Sequence, residues 1–167
     1  FSQREGVDYF QTFSPTPKMT TLRVLLYVTA QRDYELHSLD FSTFFLQGSL
    51  HEEIWLRRPP GFTETTLAAL GFAPSTADPS LFLRTDTSLP PFYVLVYVDD
   101  LVFATADTKA LTLVKSELQK RHTCTDLGEL RSYLGLQITR DRAQRTITLT
   151  QLHMVHQVLQ RFGFQFS

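Results

Sequence analysis

The residues best suited to chemistry are three carboxylates, Asp40, Asp99 and Asp100. Asp99 and Asp100 are adjacent, between the run Phe92-Tyr93-Val94-Leu95-Val96-Tyr97-Val98 and Leu101-Val102-Phe103-Ala104. β-Branched and aromatic residues on both sides of two acids predict a hairpin with Asp99-Asp100 as its two-residue turn. Aspartate tolerates the backbone conformations such a turn needs. Two charges at the tip of an apolar hairpin are costly if buried without a partner. Like carboxylates this close repel unless a proton or cation lies between them, and Mg²⁺, a hard cation that prefers carboxylate oxygen, resolves the conflict. Asp40 ends a second short strand, Glu35-Leu36-His37-Ser38-Leu39-Asp40. If the two strands are neighbours in one sheet, Asp40 and Asp99 bracket two metal ions. That arrangement activates a 3′-hydroxyl and stabilises leaving pyrophosphate in an in-line phosphoryl transfer. Taken alone, an Asp-Asp turn is more commonly just an acidic turn between strands.

Positioning these acids requires a sheet, and the rest of the chain supplies its parts. Pro15 and Pro17 keep the opening extended or looped. A helix follows over about residues 20–31, capped by Thr20 or Thr21, with Leu22, Leu25, Leu26 and Thr29 on one face. Residues 35–40 and 54–58 read as strands, the second stopped by Pro59-Pro60-Gly61. A helix over 65–70 stops at Gly71, and Asp78-Pro79 precedes a strand at 80–84. A further helix, about 108–121, turns Leu111, Val114 and Leu118 to one side. Residues 133–140 and 146–150 form a second hairpin across 141–145. A last helix, about 151–162, has Leu152, Val155, Leu159 and Phe162 as its buried stripe and ends at Gly163. Helices and hairpins mix without strict βα alternation, so the fold class is α+β.

Bulk properties narrow the field. The 167 residues are enough for one domain with a real core, and 43% apolar content argues against wholesale disorder. One cysteine, Cys124, excludes a disulfide framework and fits a reducing intracellular compartment. No apolar run reaches the roughly 18 residues of a membrane span. The net charge of −1 counts mildly against unaided nucleic-acid binding, which favours a basic surface. Arg57-Arg58 and the trio Arg140, Arg142 and Arg145 are local exceptions, and a solvated face explains them equally well. His153 and His156, three apart, lack the tighter spacing of a zinc site. The opening Phe1-Ser2-Gln3 and the closing Gln165-Phe166-Ser167 read as a piece cut from a longer chain.

Six ordered blocks give the sequence a family resemblance. Tyr97-Val98-Asp99-Asp100 resembles the YxDD box of reverse transcriptases in its copia-type YVDD form. Gly6-Val7-Asp8-Tyr9 through Phe13-Ser14-Pro15 is similar to GxDYxxTFSP. Leu39-Asp40-Phe41 with Phe45-Leu46-Gln47-Gly48 is similar to LDVxxAFLxG. Glu53-Ile54-Trp55-Leu56 with Pro59-Pro60-Gly61-Phe62 is similar to EVYMxxPPGF, and Asp78-Pro79-Ser80-Leu81-Phe82 to SDPSLF. Asp126-Leu127-Gly128-Glu129-Leu130 through Tyr133-Leu134-Gly135-Leu136 resembles DLGELxxFLGI. The chain is thereby identified as a member of the copia-type retrotransposon reverse transcriptases, over nearly its whole length.

The resemblance implies a polymerase palm-like antiparallel sheet with helices on one face and partial fingers. It implies RNA-directed DNA synthesis with two Mg²⁺ ions (Mn²⁺ as a substitute), on an RNA or DNA template-primer with deoxynucleoside triphosphates. Asp40, Asp99 and Asp100 would be the catalytic, metal-binding triad, with the Phe41 carbonyl lent to one ion. Phe45 would sit under the incoming sugar and exclude a 2′-hydroxyl, with Gln47 and Tyr97 also on the nucleotide. Leu134 and Gly135 would meet the primer end, although by pattern they belong to an ordinary strand. The partner would be the remainder of a Pol polyprotein, in a cytoplasmic particle.

Against the family pattern, the chain departs in several places. The basic strand that normally comes before the first block, and the thumb and ribonuclease H regions, are not in residues 1–167. Between Phe62 and Thr66 a block of several dozen residues, carrying YGLKQ and PRAWY-like stretches, is missing. Phe44 stands where the family has a small residue. Lost cationic support of this kind is worth several kcal/mol of barrier, so the expectation is a polymerase relative that does not polymerise alone. An inactive element remnant is the alternative. A different palm-type nucleotidyl transferase or cyclase is disfavoured by the PPGF and DLGEL blocks.

Overall fold

The computed structural model of the chain describes residues 17–41 and 62–164. In order, the described elements are α1 (Met19–Arg32), β1 (Glu35–Asp40), α2 (Phe62–Ala69), β2 (Phe72–Pro74) and β3 (Leu81–Arg84). They continue with β4 (Phe92–Tyr97), β5 (Asp100–Thr105), α3 (Thr108–Arg121), β6 (Thr125–Glu129), β7 (Ser132–Tyr133), β8 (Leu136–Asp141), β9 (Thr146–Thr150) and α4 (Leu152–Arg161). The mixed α+β class is as expected. Six strands form one sheet in the order β2-β3-β4-β5-β1-β6, and β7-β8-β9 form a second. Every described pairing is antiparallel. The predicted strand at 54–58 lies outside the described residues.

Side-chain alternation sorts the large sheet into two faces. Phe92, Val94 and Val96 of β4, with Leu101 and Phe103 of β5 and Leu39 of β1, pack against Leu67 of α2 and Leu111, Val114 and Leu118 of α3. On the opposite face Leu95, Val102, Ala104 and Leu36 meet Leu22, Leu25 and Leu26 of α1, together with Tyr133 and Ile138 of the small sheet. Each such Leu or Phe, fully buried, stabilises the fold by roughly 1.5–3 kcal/mol. The expectation of helices on one face is therefore corrected. Strands β4, β5 and β1 carry apolar residues at both parities, so both faces need a cover. Most of the phenylalanines in the described strands are core residues, as their strand positions suggested.

Two sequence blocks turn out to be structural ties. The Asp78 carboxylate, buried in the turn before β3, accepts from the Lys18 backbone N–H (3.0 Å), the Thr21 hydroxyl (2.5 Å) and the Ser80 N–H (3.0 Å). Thr21 thus spends its hydroxyl on Asp78 and not on a cap, and the N-cap position of α1 is Lys18, with no side-chain cap bond. Arg140 donates to Asp33 (2.7 Å) and to the Tyr34 carbonyl (2.6 Å), and Arg142 donates to Asp33 (3.0 Å) and Glu35 (2.8 Å). These arginines clamp the small sheet onto the α1–β1 connection. They are engaged within the fold.

The final helix forms where predicted, but its stripe is not buried. Leu152, Val155 and Phe162 are exposed, as are Met154 and Val158, and only Leu159 is partly covered. Amphipathic spacing sets the helix and its face, whereas burial needs a second surface, and no described element packs closely on α4.

Candidate active site

Strand β1 lies between β5 and β6, and its last residue decides the site. In the β1–β5 ladder Asp40 stands directly opposite Asp100, and in the β4–β5 ladder Asp100 stands opposite Tyr97. On the other side Asp40 faces Thr125 of β6. Alternation puts Asp40 on the face of Leu36, Asp100 on that of Val102 and Ala104, and Tyr97 on that of Leu95, which is one common face. Tyr97, Asp100, Asp40 and Thr125 therefore form a row across four strands at one end of the sheet.

The register moves the turn by one residue from the expectation. Asp100 is already in β5, so the two turn residues are Val98 and Asp99. Val98 has φ +51°, while Asp99 is not among the residues of positive φ. A positive angle at the first turn residue alone is the pattern of a type II′ hairpin turn. For a β-branched residue that conformation is strained. The turn is stitched to β1, because the Phe41 N–H donates to the Asp99 carbonyl at 2.9 Å. Phe41 itself is buried, its ring 5.7 Å from that of His122.

Electrostatics at this end run in one direction. Burial first, then the charge of Asp40, then that of Asp99, push the Asp100 carboxyl above the usual carboxylate range. A divalent cation reverses that logic by favouring the ionised form. Three carboxylates suit a hard cation in charge and donor atom. Among the described residues, however, no three His, Cys, Asp or Glu side chains converge tightly enough to hold one ion. Asp40 and Asp100 stand side by side, with Asp99 in the adjoining turn.

The other predicted positions divide. Leu134 and Gly135 have φ +50° and +77°, so they are the two-residue turn between Tyr133 and Leu136 and not part of a strand. Two consecutive positive angles are the type I′ signature, and glycine is the residue that meets the second at no steric cost. Leu134 is exposed at that tip. Phe45 and Gln47 lie outside the described residues, as do Trp55 and the Arg57-Arg58 pair. Tyr133 was not singled out by sequence. It is buried beside Tyr97, ring centroids 6.4 Å apart, and burial followed by Asp100 and Tyr97 raises its phenol. Its position before a Gly-containing turn was the available signal.

A family model described as reverse transcriptase (RNA-dependent DNA polymerase) matches residues 1–66 and 63–166. The chain belongs to the reverse transcriptase family. Among curated reverse transcriptase relatives, a retrovirus-related Pol polyprotein from transposon TNT 1-94 of Nicotiana tabacum is 30% identical over 194 aligned positions. That alignment covers 99% of this chain and 15% of the relative. A Pol polyprotein from transposon RE2 of Arabidopsis thaliana is 32% identical over 170 positions, 84% of this chain and 12% of that one. The transposon RE1 polyprotein of the same plant is 31% identical over the same share. The chain thus spans about one-seventh of these relatives or less. No solved structure matches it significantly. The copia-type resemblance agrees with the relatives' origin in transposons.

Proposed function

We propose that the strand end carrying Asp40, Asp99 and Asp100 is the metal-binding end of a polymerase palm. In an intact Pol polyprotein it serves template-directed synthesis of DNA on RNA. The observation that carries this reading is the register: Asp40 and Asp100, sixty residues apart, are cross-strand partners, with Asp99 in the tied turn beside them. The side chains of Asp40, Asp99 and Asp100, with the Phe41 carbonyl, are the groups that hold two Mg²⁺ ions. Bound there, such ions lower the pKa of an attacking hydroxyl and neutralise charge on the leaving group. A divalent cation held there would favour the ionised form of Asp100, against the burial and like charge that raise its pKa. Tyr97, next in the row, and Phe45 and Gln47 attend the nucleotide, and the exposed Leu134-Gly135 turn meets the primer.

By itself this chain does not extend a primer. The reading rests on a missing block between Phe62 and Thr66, whose residues would support the incoming nucleotide and template. Two observations support the gap: the family match falls into two segments that meet at residues 63–66, and 194 aligned positions are needed for 167 residues. The test is primer extension on an RNA template with Mg²⁺ and deoxynucleotides, beside Asp99→Asn. No extension from folded protein is expected. Extension that Asp99→Asn abolishes would show the block to be dispensable and the chain an active polymerase.

A further inference from the structure

Tyr133 is 5% exposed, and its hydroxyl has no hydrogen-bond partner among the described residues. An unpaired buried hydroxyl is costly, and native proteins rarely leave one without a reason. The surroundings supply a reason. Tyr133 ends β7 just before the Leu134-Gly135 turn, and its ring stands edge-on to Tyr97 at 6.4 Å. Tyr97 is the cross-strand partner of Asp100. The Tyr133 side chain belongs to the apolar cluster on the same sheet face as Val102 and Ala104, the face to which alternation assigns Asp100. A tyrosine phenol is protonated at neutral pH, so the group can donate.

Carboxylates that ligate a metal commonly accept a hydrogen bond that fixes their orientation, and removing the donor weakens metal binding 10–100-fold. We infer that the Tyr133 hydroxyl is that donor for Asp100, making its bond when a divalent cation is held at this strand end. Tyr133 is then a positioning residue, acting through Asp100. This inference rests on the metal-binding reading given above. Packing is served without the hydroxyl, so Tyr133→Phe keeps the fold.

The test is Mn²⁺ binding to the full chain by electron paramagnetic resonance, with melting in EDTA as the check on folding. Tyr133→Phe should bind Mn²⁺ about 10–100-fold more weakly while its metal-free melting temperature stays level or rises. Asp100→Asn should lose the tight site. If Asp100→Asn loses it and Tyr133→Phe binds like the parent, the role of the hydroxyl is overturned and the metal centre stands. If the parent has no site that depends on Asp100, the metal reading fails and this inference falls with it.

Discussion

Val98 carries the clearest local strain at the site. Its φ of +51° is one that valine adopts only under constraint, here the ladder on one side and the Phe41–Asp99 bond on the other. Val98→Gly relieves about 1–3 kcal/mol of strain and adds about 0.5–1 kcal/mol of chain entropy cost. The variant is expected to be about 1 kcal/mol more stable in urea denaturation; no gain would mean that Val98 is relaxed. The acids make opposite contributions to pH dependence. The raised pKa of Asp100 means its contribution is present below the unfolded value, about 3.9, and is lost as pH rises through the higher folded value. Asp100→Asn should therefore melt higher than the parent at pH 7 in EDTA, with the difference closing toward pH 3. A constant difference would rule out titration as its cause. At Asp78 burial alone would raise the pKa, but the bonds from Thr21, Lys18 and Ser80 outweigh it and leave the carboxyl low. Its contribution is present above the unfolded value and is lost as pH falls through the lower folded one.

At the scale of elements, stability hangs on a few ties between strands and helices. Lys115 of α3 is 6% exposed and reaches Asp126 of β6 at 2.6 Å and His37 of β1 at 2.8 Å. Asp126 also accepts from the Gly128 N–H at 2.9 Å, beside the bulge where β6 slips past Leu39 of β1. This gives the DLGEL block a physical purpose: it fastens the edge strand β6 next to the strand that carries Asp40. Lys115→Ala, which leaves a half-exposed carboxylate and a histidine without their shared donor, should cost about 2 kcal/mol. Asp78→Ala, which frees two backbone N–H groups and a hydroxyl, should cost about 2–3 kcal/mol at pH 7. Chemical denaturation measures both. A loss under 0.5 kcal/mol, the usual scatter for surface changes, would show that these ties are ornamental.

For the molecule as a whole, the exposed row on α4 is the feature that most affects behaviour in solution. Leu152, Val155, Val158 and Phe162 line one side of the helix and are exposed. Contiguous apolar surface of this kind promotes association. Replacing Val155 and Val158 together by glutamate should reduce concentration-dependent association in light scattering and change unfolding free energy by less than about 0.5 kcal/mol. Equal association in the variant would place the sticky surface elsewhere. Among the described residues no helix is long and apolar enough to cross a membrane.

The sequence by itself determined the family, the α+β class, and the location of α1, α3 and the β4–β5 hairpin, and it singled out the three acids proposed as the site. Those features are written locally, in apolar periodicity, turn residues and motif spacing. It did not determine that the turn is Val98-Asp99, because the choice depends on ladder register, which both strands and their neighbours set together. It did not separate a turn from a strand at Leu134-Gly135, since an apolar residue before a glycine is locally ambiguous. Nor did it place α1 and the small sheet on the face opposite α2 and α3, or show that the arginines are held by Asp33 and Glu35. Only the tertiary structure brought Asp40 opposite Asp100 and Tyr133 beside Tyr97. Pairings across sixty or a hundred residues are products of packing many side chains at once, and no single stretch of chain contains them.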